Sequence, residues 1–519
     1  MKIRRSALLS SHLAICLLAH VFPVSAQVLM QDIAATRWPV GALAAPIPDD
    51  SPAARDAAKA RLRAAPRTVV CADPSIGSRR YGTNCASREF NAPPRLEAPR
   101  QRWSLEPGWR GLWSPYLIGD LLLTGSCFNE THQGLSAVNQ RTGKVLWRNA
   151  KPCREGNRNG SVGITALYEW KPGQVLWVFN REDGKPVDYM IVDLRNGAIV
   201  GTVTPPRRGA LRQRDGVFIT VSNSKQDQAL YLNGLSPQLD QPLWRLEGFH
   251  RECDAFSRFC DGAVSTSAGS DGVEYISVMP KDQPDPPAKQ LHAIDARTGR
   301  LLWRHQAQPV TLLGPGDIQR RSDDGAPMVA DGRVIIRVDG SLGAVPVTSS
   351  PGSFAYRALH AKTGEILWTT EALPRYFKEP WAGTTSQMRG TRIAAGNMLI
   401  TEVLSGDENS KELWAYRLTD GSLAWRRPVP RDLRLMASAG GVIHVSISGN
   451  GGPTHSLQGL DSTTGTLLWS TEVVAHNNPV TGGWAIEGPE TNVFLGPFFR
   501  IAPDGAIYGT TVTTAYRMD

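Results

Sequence analysis

Six cysteines, Cys71, Cys85, Cys127, Cys153, Cys253 and Cys260, are the most reactive side chains of the chain; a seventh, Cys16, lies in an apolar run near its start. Thiolates can ligate metal, attack carbonyl carbons or oxidise to disulfides. No CxxC pair occurs, no two cysteines are adjacent, and the ten histidines show neither HxH nor HExxH spacing. A metal centre therefore has no support in the spacing. An even number of cysteines in an oxidising compartment points to disulfides. Loop closure favours the nearest-neighbour set 71–85, 127–153 and 253–260. GxSxG and the phosphate-binding P-loop are absent, and SGNGGPTH at 448–455 reads as a loop between strands. Asn129-Glu130-Thr131 fits a glycosylation sequon, a frequent chance match. No residue is assigned a catalytic role.

The compartment is read from the start of the chain. Lys2, Arg4 and Arg5 precede an apolar run from Ala7 to Val21, and Val24-Ser25-Ala26 offers small residues for cleavage before Gln27. That pattern predicts a signal peptide over 1–26 and export to the periplasm or medium. The run is short for a membrane span and is interrupted by Ser10, Ser11, His12 and His20. Cys16 follows Leu13-Ala14-Ile15 and lacks the small residue expected before a lipidated cysteine. No later stretch is apolar enough for a transmembrane helix. The whole chain carries a formal charge of +9, and without residues 1–26 it retains 54 Lys and Arg against 48 Asp and Glu. The excess is spread out, without a basic cluster, so nucleic acid is not an expected partner. Anionic envelope polymers or an acidic protein patch suit it better.

The elements that must carry these residues announce themselves by repetition. GLSAVNQRTGKVLW ends at Trp147, LHAIDARTGRLLW at Trp303, RALHAKTGEILW at Trp368, LWAYRLTDGSLAW at Trp425 and LQGLDSTTGTLLW at Trp469. Each copy has an apolar stretch, a polar turn ending in glycine, and a second apolar stretch, which is the pattern of a β-hairpin. Gly143, Gly299, Gly364, Gly421 and Gly465 close the turns, where a left-handed backbone favours glycine. Thr142, Thr298, Thr363 and Thr464, with Asp420 in the fifth copy, precede them and can bond local backbone, as can Asp295 and Asp461. A tryptophan at each hairpin end needs a neighbouring sheet to cover it.

Weaker copies fill the gaps. YMIVDLRNGAIVG has Asn196-Gly197 in its turn and Gly201 in place of tryptophan, while LYLNGLSPQLDQPLW ends at Trp244 with a degenerate turn. RQRWSLEPG around Trp103 resembles only the strand after a turn, and the final TTAYRMD only the strand before one. Half a hairpin at each end implies that the ends meet. The spacing of 43 to 65 residues between repeat ends suits four-stranded units. The fold expected is therefore all-β: an eight-bladed β-propeller of four-stranded antiparallel blades over 101–519, closed by the two terminal strands.

The AxDxxTGxxxW pattern, seen at Ala293–Trp303 and with glycine first at Gly459–Trp469, resembles the tryptophan-docking repeat of the PQQ-like (pyrroloquinoline-quinone) β-propellers. That family includes quinoprotein dehydrogenases and the BamB-like propellers of outer-membrane β-barrel assembly. The resemblance implies that each tryptophan packs on the next blade. For a dehydrogenase it further implies PQQ with calcium over the central channel, a tryptophan floor, acidic and amide calcium ligands, and an aspartate base. Asn159, Trp381 and Trp484 are candidate channel residues, but none matches the family's cofactor ligands, and the adjacent-cysteine disulfide and CxxCH haem site are missing. The expectation is thus a monomeric, non-catalytic propeller without cofactor, binding an envelope protein partner. The alternatives are a PQQ- and calcium-dependent dehydrogenase of alcohols or sugars, and a cell-wall or carbohydrate-binding propeller.

Residues 27–100 fall outside the repeats. Ser51 can cap a helix with Pro52 in its first position, continuing through an Ala- and Arg-rich stretch until Pro66 stops it. The rest, with Cys71 and Cys85, reads as an irregular, disulfide-tied extension packed on the ring and covering one mouth.

Overall fold

The structure, a computed structural model, describes residues 44–65, 89–105, 116–126, 134–150, 164–179, 189–204, 210–214, 216–224, 229–250, 265–268, 272–278, 290–306, 327–339, 354–371, 392–404, 410–430, 433–448, 454–474, 498–510 and 515–519. They form eight sheets. Blade 1 runs from Tyr116–Ile118 to Val145–Asn149, blade 2 from Ile164–Lys171 to Ile199–Val203, and blade 3 from Ala210–Arg214 to Pro242–His250. Blades 4 to 7 end in Leu301–Gln306, Ile366–Thr369, Leu423–Pro430 and Leu467–Val474. Blade 8 joins Phe498–Ile501, Ile507–Thr510 and Ala515–Met518 to Gln101–Leu105 from the other end of the chain. Strand order within each blade follows the chain outward, and first strands touch first strands of neighbouring blades, so these line the axis.

The two half hairpins do meet. Gln101 lies opposite Met518 and Leu105 opposite Ala515. Arg100 and Asp519 exchange backbone hydrogen bonds of 2.7 and 2.9 Å, and the Asp519 carboxylate accepts from Arg102 at 2.9 Å and Arg517 at 2.6 Å.

Among the described residues there is no single central core. Each of the eight seams has its own apolar cluster, such as Leu122, Val138, Tyr508 and Ala515 between blades 8 and 1, or Ile393, Trp425, Leu435 and Val445 between blades 6 and 7. Burial is thus distributed around a ring, and each blade depends on both neighbours.

The described part of the extension packs on the ring. Its helix spans Pro52–Ala64, with the Ser51 hydroxyl accepting from the Ala54 N–H at 3.2 Å. Ala58 and Leu62, four residues apart on one face, are buried in one cluster with Leu468 and Trp469 of blade 7. Further on, Glu89–Phe90 pairs in parallel with the first strand of that blade, Leu433–Ala439. Blade 7 therefore has five strands where four were expected.

Candidate functional site

The repeat motif builds one joint, used around the ring. In blade 4 the Asp295 carboxylate accepts the N–H groups of Arg297 at 3.0 Å and Thr298 at 2.9 Å, which hold it below the usual carboxylate range. Gly299 closes the turn at φ 70° and donates its N–H to the Asp295 carbonyl at 2.8 Å. On that turn lies the tryptophan of the preceding blade: Trp244 stacks on Gly299 and donates its indole N–H to the Ala296 carbonyl at 3.0 Å. Trp103 does the same with Gln140, Trp147 with Leu194, Trp303 with Ala361, Trp368 with Leu418 and Trp425 with Ser462, all at 2.8 to 3.0 Å. A Cβ on Gly143, Gly364, Gly421 or Gly465 would meet the docked ring within 3 Å. These glycines are needed twice, for backbone conformation and for space. The residue paired with each tryptophan inside its own blade is small for the same reason: Ala137, Gly234, Ala293, Ala358, Ala415 and Gly459.

Two seams depart from this joint. Trp469 faces blade 8, whose outer hairpin is split between the chain ends, and donates its indole N–H to the Arg95 carbonyl of the extension at 2.8 Å. The extension thus supplies the acceptor that the split turn lacks. Between blades 2 and 3 no ring is available, because Gly201 replaces tryptophan. There the turn of blade 3 carries Leu239 at φ 61°, fully buried with Tyr168, Leu176, Tyr189 and Phe218. In place of a docked tryptophan, this seam is filled by Leu239 with the aromatic and aliphatic side chains of both blades.

The extension lies across the turns of blades 6 to 8. Asp50 accepts from Arg427 at 2.6 to 2.9 Å and from the Leu467 N–H at 2.8 Å; Arg61 pairs with Asp461; Arg95 donates to the Gly505 carbonyl at 2.9 Å. Glu89 sits buried beside the axis and accepts from the Gly396 N–H at 2.8 Å. Burial pushes its carboxyl up to about 7, against the pull of that hydrogen bond. His444, behind Trp469, is driven down to about 3 by burial, with the Arg95 guanidinium adding to the effect. Towards the opposite ends of the strands, Lys411 donates to Glu402 at 3.2 Å and to the Leu433 carbonyl, while Glu402 accepts the Leu435 N–H at 2.8 Å. This buried set ties blade 6 to the first strand of blade 7.

The surface feature that sequence reading missed is at the outer rim. In every blade from 1 to 7 the residue just before the tryptophan, or before Gly201, is the extra residue of a β-bulge. In blades 1 to 5 it is aliphatic and open to solvent: Leu146 at 48%, Val200 at 51%, Leu243 at 48%, Leu302 at 38% and Leu367 at 43%. In blades 6 and 7, under the extension, Ala424 and Leu468 are only 8% and 3% exposed. The signal was present in the sequence as two consecutive aliphatics before Trp147, Trp303, Trp368, Trp425 and Trp469, which strict alternation cannot place.

Cys71, Cys85, Cys127, Cys153, Cys253 and Cys260, the candidate channel residues Asn159, Trp381 and Trp484, the sequon, the signal segment and most of the 448–455 loop lie outside the described residues. Among the described residues no group of three or more His, Cys, Asp and Glu could hold a metal ion, and no helix is long and apolar enough to cross a membrane.

The geometry defines an eight-bladed propeller held by tryptophan docking. Its repeats are similar to those of PQQ-like propellers: the family model described as outer membrane protein assembly factor BamB matches residues 241–439 and 353–485. A polyvinylalcohol dehydrogenase of Sphingopyxis sp. is 23% identical over 277 residues, 41% of this chain and 37% of that protein. The chain thus matches well under half the length of that curated relative. Among solved structures, BamB from Moraxella catarrhalis is similar with a TM-score of 0.45 and 14% identity, over 81% of this chain and 100% of that one. Quinohemoprotein alcohol dehydrogenase from Comamonas testosteroni is similar with a TM-score of 0.49 and 13% identity, over 89% and 83%.

Proposed function

We propose that the protein is exported to the bacterial cell envelope and acts there as a non-catalytic, monomeric scaffold that binds a protein partner on its ring. One observation carries this reading: the outer bulges of blades 1 to 5 hold aliphatic side chains in solvent at repeat-fixed positions, on a frame locked by docked tryptophans. Apolar side chains displayed in this way are a means of protein recognition. The assembly-factor description of the matching family model supports the same reading. The test is purification of the tagged full-length protein from envelopes of its native host. A stoichiometric partner, without dye reduction in the presence of PQQ and calcium, is expected. Calcium- and PQQ-dependent oxidation of an alcohol by the purified protein would overturn the reading.

That outcome is the second reading, favoured by the stretch shared with the polyvinylalcohol dehydrogenase. In it, PQQ with calcium would sit over the channel and accept the substrate's electrons. The candidate channel positions lie outside the described residues, so no residue is assigned to the cofactor.

A further inference from the structure

The chain itself shows what fits over an outer bulge. On blade 7 its own segment 44–65 is seated there: the Asp50 carboxylate takes the Leu467 N–H beside the bulge at 2.8 Å, and the helix packs on the outer strand, with Ala58 and Leu62 in one buried cluster with Leu468. The bulge of blade 7 is flanked by the uncharged Thr466 and Ser470, and the helix on it is basic, with Arg55, Lys59, Arg61 and Arg63.

Blades 1 and 4 present the same knob with different flanks. Lys144, Leu146 and Arg148 are all exposed on one, and Arg300, Leu302 and Arg304 on the other. Among the described residues both outer strands pair on one side only, with the third strand of their own blade. A basic helix like that of residues 52–64 would meet like charge there. A helix of the same apolar design with acidic flanks would meet opposite charge on both sides of the leucine.

We propose that the outer edges of blades 1 and 4 each dock an amphipathic helix of a partner protein, with a stripe of alanine and leucine over Leu146 or Leu302 and acidic side chains against the flanking cations. This deepens the scaffold reading and rests on it. The bulge interrupts the strand edge and disfavours simple strand addition, which is why the seated element is a helix.

The probe is a dye-labelled peptide of residues 44–65 with Arg55, Lys59, Arg61 and Arg63 replaced by Glu, titrated by anisotropy against the full exported chain. It should bind at least about tenfold more tightly than the unaltered peptide and weaken as salt rises. Arg148→Glu with Arg304→Glu should cost about tenfold or more in affinity for the acidic peptide, and Leu146→Ser with Leu302→Ser should do likewise. These positions are exposed, so an unchanged circular dichroism melt separates lost binding from lost folding. No binding of the acidic peptide, or binding indifferent to all four substitutions, overturns the proposal. So does sedimentation of the protein with phosphatidylglycerol vesicles that needs the same residues while the peptide does not bind; the rim would then be a lipid contact. The scaffold reading fails separately, on dye reduction with PQQ and calcium, and it survives a negative peptide result if the native partner is still recovered.

Discussion

Replacing Gly421 by alanine and Trp368 by alanine, singly and together, isolates the joint on which the ring depends. Trp368 is buried and donates its indole N–H to the Leu418 carbonyl at 2.8 Å. Its Cε3 and Cδ2 stand 2.6 and 2.8 Å from where a Cβ on Gly421 would be, and Gly421 has φ 74°. Trp368→Ala should cost about 3–5 kcal/mol, from the lost ring and the cavity it leaves. Gly421→Ala should cost about 1–2 kcal/mol from its left-handed backbone and about 1–3 kcal/mol more from overlap with the ring. When the ring is absent the overlap disappears and only the backbone cost remains. The two changes should therefore be sub-additive by about 1–3 kcal/mol. Trp368→Phe keeps much of the apolar surface but leaves the Leu418 carbonyl without its donor, a loss of about 1–3 kcal/mol. Urea unfolding followed by circular dichroism reads all four proteins. Additivity of the two alanine changes to within about 0.5 kcal/mol, the behaviour of independent sites, would refute the claim that the glycine exists to receive the ring.

The seam between blades 2 and 3 gives a second test. Leu239→Gly should lose about 2–5 kcal/mol to a cavity and regain about 1–2 kcal/mol from its relieved backbone. Unchanged melting of this variant would contradict a packing role for Leu239. Glu89 should make stability depend on pH: its carboxyl is raised from the ordinary 4.5 to about 7, so the unfolded chain ionises first as pH rises. Stability should then fall between those values by about 3 kcal/mol and level off above them. Glu89→Gln should remove that slope, and an unchanged slope over pH 5 to 8 would show that Glu89 is not its source. Peptide mapping without reduction should find the bridges 71–85, 127–153 and 253–260; free thiols or a 71–153 bridge would contradict nearest-neighbour pairing.

The ring was legible because its joints recur. Trp303 and Gly299 or Trp469 and Gly465 are too costly to place singly, so their repetition at a fixed distance forces repeated neighbouring sheets. The unmatched halves at Trp103 and at Tyr516 likewise required closure. What stayed hidden lies where a joint is rebuilt by residues distant in sequence. Nothing near Trp469 says that the acceptor for its indole N–H is the Arg95 carbonyl. Leu239 reads as a spoiled turn until its burial among Tyr168, Leu176, Tyr189 and Phe218 is seen. The outer rim was hidden for another reason. Leu301-Leu302-Trp303 looks like continuous core sequence, and only a bulge separates the ring that docks from the leucine that faces water. The helix was anticipated from Ser51 and Pro52, but its burial was not, because two small contacts, Ala58 and Leu62, are enough to seat it on blade 7.

The central claim is that the ring works by holding a protein on its rim. A photo-crosslinking side chain placed at Leu302 of the full-length protein in its native host tests this directly. The account predicts a discrete protein adduct under light, lost when Arg300 and Arg304 are changed to Glu. The absence of any adduct from Leu302 and from Leu146, together with stoichiometric binding of PQQ in the presence of calcium, would contradict it.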